Sequence, residues 1–169
     1  MAAGQTYEPI ATTTLGSNAA SYTFSSIPGT YTDLIVICSN LTNTTANTLC
    51  IKFNSDSATN YSWVTASYGA ASTIASYKPA NDSRGVALGG YVEGLNATTP
   101  GNYIGQVMNY SNTTTYKTTL GRGSNVATDV EAIVGLWRST AAITSVTVAP
   151  SGGNMKTGTV LSLYGIKAA

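Results

Sequence analysis

Side chains that could carry out chemistry are scarce in this chain, and histidine is absent from it. Histidine is the commonest general base and metal ligand, so its absence excludes Ser-His-Asp and Cys-His catalytic arrangements. The two cysteines, Cys38 and Cys50, form no CxxC motif, and a zinc site would have to combine them with carboxylates. We therefore expect a protein that is not an enzyme and that has no catalytic residues, no cofactor and no metal ion.

Asp129 and Glu131 have the spacing of a carboxylate pair. They are two residues apart, so they share one face if their segment is a β-strand. Such a pair could hold a hard cation or take part in acid–base chemistry. Edge strands also carry charged residues in water, where these discourage pairing with another sheet edge. Solvated charges on an edge strand are the interpretation we favour for these two residues.

Two further segments resemble ligand-binding loops only loosely. The stretch NSDSATN places Asn54, Asp56 and Asn60 somewhat as in a calcium loop, but no glutamate follows to complete the coordination shell. The stretch GRGSNV lacks the third glycine of a dinucleotide-binding fingerprint and does not open a helix. We interpret the first as a polar loop and the second as a turn.

The composition favours a surface that is covered in an assembly. Charged residues make up 9% of the 169 residues, with eight basic and seven acidic side chains, against about 25% in ordinary soluble domains. The chain lacks the basic stripe that nucleic acids or anionic membranes require, and no apolar run is long enough to span a membrane. Ser, Thr and Asn cost less to bury against a partner than unpaired charges do. An extracellular β-domain with a neutral surface is the alternative.

The N-terminal segment MAAGQTYEPIATTT is expected to be an extended arm. It has no basic residue followed by an apolar stretch, so we do not interpret it as a signal peptide. We expect residues 1–15 to form this arm and the first strand, and residues 16–169 to form a single domain. A chain made in a cytoplasm keeps its thiols reduced, so Cys38 and Cys50 are expected to be unlinked. The alternative is a disulfide between them, if LIVIC and LCIKF pair as a hairpin.

Apolar residues recur with a period of two along nearly the whole chain, which predicts β-strands separated by polar turns. Short strands at this spacing predict an all-β fold, either an antiparallel β-sandwich or another closed β-architecture. The predicted strands are Tyr7–Thr14, Ser21–Phe24, Thr32–Asn40, Thr48–Asn54, Ser62–Tyr68, Gly85–Tyr91, Asn102–Asn109, Thr115–Gly121, Asp129–Arg138, Ile143–Ala149 and Thr159–Ile166.

Three of these segments carry more specific expectations. The stretch DLIVICS is apolar on both faces, which predicts a central strand covered on each side or held by a neighbouring subunit. Residues 141–166 predict two alternating strands joined by a turn as a hairpin. In DVEAIVGLW the alternation puts one set of side chains on one face and a second set on the other; the first is Val130, Ala132, Val134 and Leu136, and the second is Glu131, Ile133, Gly135 and Trp137.

Tyrosine is the aromatic residue that dominates the sequence, with eleven tyrosines against two phenylalanines. A tyrosine brings apolar area and a hydroxyl that tolerates water, which suits a surface that is buried by a partner in one state. The alternatives are rings that cap the ends of the core and exposed aromatics that bind carbohydrate. The candidate interface residues are Tyr61, Trp63, Tyr68, Tyr103 and Tyr110, together with Tyr7 and Ile10 of the N-terminal arm.

Four motifs carry a resemblance to a known family. They are FSSIPGTYTDL, FNSDSATNYS, WRSTAAITSV and SLYGI, and they lie between about Ser21 and Ile166 on both sides of a variable centre, residues 69–101. In this wording the chain resembles a family of small virion proteins encoded by tailed bacteriophages. The third motif departs slightly, since Val146 stands where the family pattern has isoleucine. The resemblance implies a structural component with a jelly-roll-like sandwich and no catalytic residues.

The resemblance and the composition together suggest a capsid decoration, or cement, protein. Such a protein would be made in the bacterial host cytoplasm, would bind the major capsid protein of the virion and would associate with itself, as a homotrimer. The N-terminal arm would lie across a neighbour by strand addition. The alternative is a tail, baseplate or fibre component that contacts host glycans. We also expect Arg138 to form a salt bridge with Asp129 or Glu131 at the rim of the domain. Asp33 is expected to stabilise the turn after Pro28.

Overall fold

The structure, a computed structural model, describes residues 6–69, 74–91, 94–125 and 129–167. Within these ranges the regular elements are twelve β-strands, which together form one all-β fold. They are β1 (Tyr7–Thr14), β2 (Tyr22–Phe24), β3 (Asp33–Leu41), β4 (Leu49–Phe53), β5 (Tyr61–Gly69), β6 (Ile74–Tyr77), β7 (Val86–Gly89), β8 (Gly101–Val107), β9 (Lys117–Asn125), β10 (Asp129–Trp137), β11 (Val146–Pro150) and β12 (Val160–Ile166).

The strands form two antiparallel sheets that pack face to face as a jelly-roll-like β-sandwich. The larger sheet has eight strands in the order β1-β12-β3-β8-β9-β10-β5-β6, and the smaller has four in the order β2-β11-β4-β7. The predicted all-β antiparallel sandwich is therefore confirmed. The strand rich in Leu, Ile and Val, β3, lies between β12 and β8, which confirms the central position that its sequence predicts.

The predicted hairpin of residues 141–166 is wrong, and the alternative pairing of LIVIC with LCIKF does not occur, because consecutive strands enter different sheets. The terminal pair, β11 and β12, belongs to the smaller and the larger sheet respectively, so residues 141–166 connect the two layers. The strands that contain Cys38 and Cys50, β3 and β4, are likewise divided between the sheets. Both cysteines are free and buried in the core, in agreement with the expected reduced thiols.

The core lies between the two sheets and is closed at one end by a cluster of aromatic rings. Trp137 at the end of β10 packs against Phe53 and stacks on Tyr61, with ring centroids 5.5 and 6.3 Å apart. Its indole Nε1 donates a hydrogen bond of 2.7 Å to Asp56 in the loop after β4. The polar loop that contains Asp56 is therefore anchored to the core by an aromatic side chain from the opposite sheet.

Strand β10 carries two carboxylates on its inward face and two valines on its outward face, the reverse of the usual distribution. This strand lies between β9 and β5, not at an edge, and its inward face carries Asp129 and Glu131, both buried. The prediction that these carboxylates are solvated charges on an edge strand is wrong. The opposite sheet approaches β10 closely, because a Cβ at Gly135 of β10 would collide with the Val86 side chain of β7. The inward face of β10 also carries Ile133 and Trp137, which are buried, whereas Val130 and Val134 on the other face are exposed to solvent.

The first strand occupies part of the segment that was expected to be a free arm. Residues 7–10 belong to β1, where Tyr7 lies opposite Ile166 of β12. The carboxylate of Glu8 forms an ion pair with Lys167 next to the same edge. The described part of the expected arm is thus an edge strand of the larger sheet, and residues 1–5 lie outside the described residues.

Candidate interaction surface

A continuous set of apolar side chains lies on the solvent side of the eight-stranded sheet. Val134 of β10 lies opposite Leu120 of β9 on one side and Val64 of β5 on the other, and Val130 lies opposite Tyr68. The exposed fractions of these five side chains are between 43% and 54%. We call this surface the apolar face; it consists of Val64, Ala66, Tyr68, Leu120, Val130, Ala132 and Val134.

The apolar face continues onto the central strands of the sheet. In the row that contains Ala132, the next outward residues are Arg122 of β9, Ile104 of β8 and Ile37 of β3, and both isoleucines are half-buried. The five adjacent strands β3, β8, β9, β10 and β5 span about 20 Å at the usual distance between strands. Monomeric proteins seldom expose contiguous apolar surface of this extent unless it has a partner.

Arg122 is a charged side chain within this otherwise neutral region. It lies opposite Ala132 and Ile104 on the neighbouring strands, and its side chain is exposed. Among the described residues it has no hydrogen-bond or ion-pair partner. An arginine surrounded by apolar surface is a typical centre of a protein–protein interface, because it contributes a charge together with an apolar stem.

The predicted interface residues are divided between the surface and the core. Tyr68 belongs to the apolar face, and Tyr7 is exposed on the edge strand β1. Ile10 is partly buried against the core. The other four are at most 3% exposed and belong to this chain's own core, where a partner could not reach them; they are Tyr61, Trp63, Tyr103 and Tyr110.

Two of the buried tyrosines have the alternative role that the sequence allowed, which is to cap the ends of the core. The hydroxyl of Tyr61 accepts a hydrogen bond of 3.1 Å from the Phe53 amide, and burial raises the pKa of this phenol. The hydroxyl of Tyr110 donates to the carbonyl of Pro28 and accepts from the Tyr31 amide at 3.3 Å. These rings fix loops to the sandwich and are not interaction residues.

Apart from Tyr68, the residues of the apolar face were not among the predicted sites, although their signal is present in the sequence. The alternation in DVEAIVGLW groups Val130, Ala132 and Val134 on one side of the strand. Periodicity shows which residues share a face, but it does not show which face points inward. The other face carries Ile133 and Trp137, and it is the one that the fold buries.

Arg138 forms hydrogen bonds with partners other than the expected ones. Arg138 donates to the Thr59 carbonyl at 2.6 Å and to Asn81 Oδ1 at 2.8 Å. The expected pairing of Arg138 with Asp129 or Glu131 is wrong. Arg138 follows the last residue of β10, whereas the two carboxylates lie at the start of that strand.

Asp33 and the loop after β4 form hydrogen bonds that hold loops in place. Asp33 accepts from Gln106 Nε2 at 2.7 Å and from the Asn109 amide at 2.9 Å, so it fixes the end of β8 and not the turn after Pro28. Asn54 binds the backbone at Ala142 and Thr144, as expected for a polar loop closed by asparagine side chains.

Metal-ion clusters and membrane-spanning helices are two further features that would indicate a function. Within the described ranges, no three His, Cys, Asp or Glu side chains are grouped closely enough to hold a metal ion among themselves. Those ranges also contain no helix that is long and apolar enough to cross a membrane. No protein-family model and no curated protein matches the chain.

Proposed function

We propose that this protein is a structural component of a tailed-bacteriophage virion, and specifically a decoration protein that binds the assembled lattice of the major capsid protein. The observation that carries the proposal is the apolar face, where the side chains of Val130 and Val134 are 54% and 47% exposed on a central strand. The chain's own smaller sheet packs on the other side, so an external partner is needed to bury this surface.

The low charge of the chain supports a large and permanent interface. With 9% charged residues, most of the surface can be covered without leaving unpaired ions, whose burial costs far more free energy than burial of threonine or asparagine. A partner that binds only in the assembled lattice stabilises the shell by mass action at every occupied site. The proposed partners are the major capsid protein and further copies of this chain in a homotrimer. Nucleic acid and membranes are not among them.

A tail, baseplate or fibre component that contacts host glycans is the second candidate. Tyr77 is 46% exposed and stacks on Tyr91 with ring centroids 4.3 Å apart, and Trp63 meets Tyr91 edge-on at 4.8 Å. The exposed ring of Tyr77 could bind the apolar face of a sugar, with Tyr91 and Trp63 supporting it from behind. This cluster lies at the β6 edge of the larger sheet, so it could act independently of the apolar face.

The decisive experiment measures attachment of the protein to virus particles. We expect Val134→Lys to remain folded and to lose binding to particles stripped of the protein, because the new ammonium group would be buried unpaired against the partner. Thr23→Lys is the matched control, since Thr23 is exposed on β2 in the smaller sheet. It should bind normally.

Quantification of the protein in purified particles separates the two candidates. A decoration protein is present in numbers comparable with the capsid protein, whereas a tail component is present in few copies. Equal binding of Val134→Lys and the unmodified chain would contradict a role for the apolar face. A few copies confined to the tail would favour the second candidate over the first.

A further inference from the structure

Three buried polar side chains lie on the inner side of the larger sheet, away from the apolar face. Asp129 and Glu131 extend from β10 towards the smaller sheet, and Ser67 of β5 lies directly opposite Glu131 in the antiparallel register. Their exposed fractions are 6%, 5% and 4% respectively. Two carboxylates and a hydroxyl are thus removed from bulk water within one section of the sandwich.

The hydrogen bonds of this cluster are incomplete. Glu131 Oε1 accepts a hydrogen bond of 2.9 Å from the Tyr91 amide. Asp129 Oδ1 accepts a long one of 3.4 Å from the Asn125 amide. Within the described part of the chain, Asp129 Oδ2 and Ser67 Oγ are buried and have no hydrogen-bond partner. A buried carboxylate oxygen without a donor costs substantial free energy, so native proteins normally supply one.

The protein supplies no cation for Asp129. All eight basic residues of the chain fall within the described ranges. The ion pairs found there join Arg84 to Asp82 and Lys167 to Glu8. Because an ionised carboxylate is stable in the interior only when its charge is compensated, a compensating cation at Asp129 would have to come from solution.

A phenol lies within electrostatic reach of the same carboxylates. Tyr103 is buried, and burial raises its pKa; the negative charges of Asp129 and Glu131 raise it further. The ring lies over Gly123 of β9, where a Cβ would collide with it, and Gly123 is the residue opposite Glu131. An aromatic ring therefore lies in the same section of the core as the two carboxylates and the serine hydroxyl.

We propose that Asp129 and Glu131, with the hydroxyl of Ser67, form a binding site for a hard divalent cation, Ca²⁺, between the two sheets. Every donor in this set is an oxygen, which favours calcium or magnesium over the transition metals. Calcium accepts irregular shells of carboxylate, hydroxyl, carbonyl and water oxygens, whereas magnesium requires a near-ideal octahedron. With two carboxylates, we expect a dissociation constant on the order of 10⁻⁴ to 10⁻³ M, as in extracellular calcium modules.

This site does not depend on the proposed virion function, because it involves the inner side of the sheet and none of the residues of the apolar face. A cation there would join β10 to β5 and neutralise the charge between the layers. Calcium should therefore stabilise the isolated protein, whether or not the chain binds a capsid.

The test uses the full chain after removal of metal ions with a chelator. Thermal unfolding is followed in calcium chloride and in EDTA at equal ionic strength, with magnesium chloride as a third condition. At a calcium concentration about one hundred times the dissociation constant, we expect a rise in Tm of about 5 °C or more. Magnesium should give a smaller rise.

Two variants locate the effect. Asp129→Asn keeps the shape of the side chain and should abolish the calcium-dependent rise in Tm. Glu8→Gln is the matched control, since Glu8 pairs with Lys167 beside the edge strand β1, and it should keep the full response.

Terbium luminescence gives a second readout. Tb³⁺ can replace Ca²⁺ in oxygen sites, and emission excited through tyrosine requires an aromatic ring close to the ion. We expect sensitised emission from the unmodified chain, its loss on addition of excess calcium, and weaker binding in Ser67→Ala. Absence of both the calcium shift and the terbium signal would overturn the proposal. An equal calcium response in Asp129→Asn would also overturn it.

Discussion

Val134 and Val64 lie directly opposite each other on β10 and β5, and both side chains are exposed to solvent, by 47% and 43%. Ile133, the sequence neighbour of Val134, points to the other side of the sheet and is 2% exposed. A cross-strand pair of valines stabilises a sheet locally, but in water it gains little from burial. The pair therefore defines the side of the sandwich on which the fold leaves apolar surface for a partner.

The first prediction tests this orientation with two adjacent residues. Val134→Thr should change the free energy of unfolding by less than about 0.5 kcal/mol, because the site is exposed. Ile133→Thr should cost about 2–4 kcal/mol, because it leaves a cavity and buries a hydroxyl in the core. Urea unfolding of the two variants measures both values. Similar costs at the two positions would show that the faces of β10 are assigned incorrectly.

The second prediction concerns the close approach of the two sheets at Gly135. A methyl group there would collide with the Val86 side chain of β7, which is fully buried. We expect Gly135→Ala to destabilise the fold by about 1–3 kcal/mol. Adding Val86→Ala removes the nearest colliding methyl groups and leaves the Thr119 hydroxyl, 2.5 Å from the new Cβ, as a second close contact. The double variant should therefore be more stable than the sum of the single effects predicts, by about 1 kcal/mol. Strict additivity in urea unfolding would contradict the contact.

Local sequence patterns were sufficient to locate most strands. Tyr7–Thr14 has the same bounds in the prediction and in the structure, and Asp129–Trp137 differs from its prediction by one residue. These segments combine strict alternation with turn residues at both ends, so each strand is determined by its own residues. The strand Ile74–Tyr77 was not predicted, because four residues at a sheet edge carry too short a pattern to recognise.

The arrangement of the strands could not be predicted from local patterns. Whether β11 and β12 pair or separate depends on contacts with β4 and β3, which are distant in sequence. The burial of Asp129 and Glu131 depends in the same way on space left by the opposite sheet. Both features are set by tertiary packing, which overrides the single-strand preference for apolar residues inside.

The third prediction concerns the thiols. Burial raises the pKa of both Cys38 and Cys50 to about 12, so almost no reactive thiolate exists near neutral pH. We expect no alkylation of the native protein by iodoacetamide at about pH 8, and complete alkylation in denaturant, as measured by mass spectrometry. The neutral thiols also favour the folded state below the unfolded pKa of about 8.5, and this contribution should be lost as pH rises towards 12. Rapid labelling of either native thiol would show that it is accessible.

The fourth prediction concerns Asp56, which joins the loop after β4 to the core. Burial acts to raise its pKa, but hydrogen bonds from Asn60, Trp137 and the Ala58 amide outweigh this, and the pKa is lowered overall. A carboxyl whose pKa is lower in the folded state stabilises the fold above its unfolded pKa of about 3.9, and the contribution is lost as pH falls through the folded value.

Asp56→Asn should therefore destabilise the protein at neutral pH and much less in acid. An amide is a weaker acceptor for the Trp137 indole N–H, which now donates to a carboxylate oxygen at 2.7 Å, so we expect a cost of about 1–2 kcal/mol at pH 7. The difference between the two proteins should shrink as pH falls from about 3.9, where the carboxyl of the unfolded chain becomes protonated, through the lower pKa of the folded carboxyl. Urea unfolding at several pH values measures it. Ser57→Ala, at an exposed position in the same loop, should leave the pH profile unchanged. A cost for Asp56→Asn that is the same at pH 7 and in acid would mean that the Asp56 charge does not stabilise the fold.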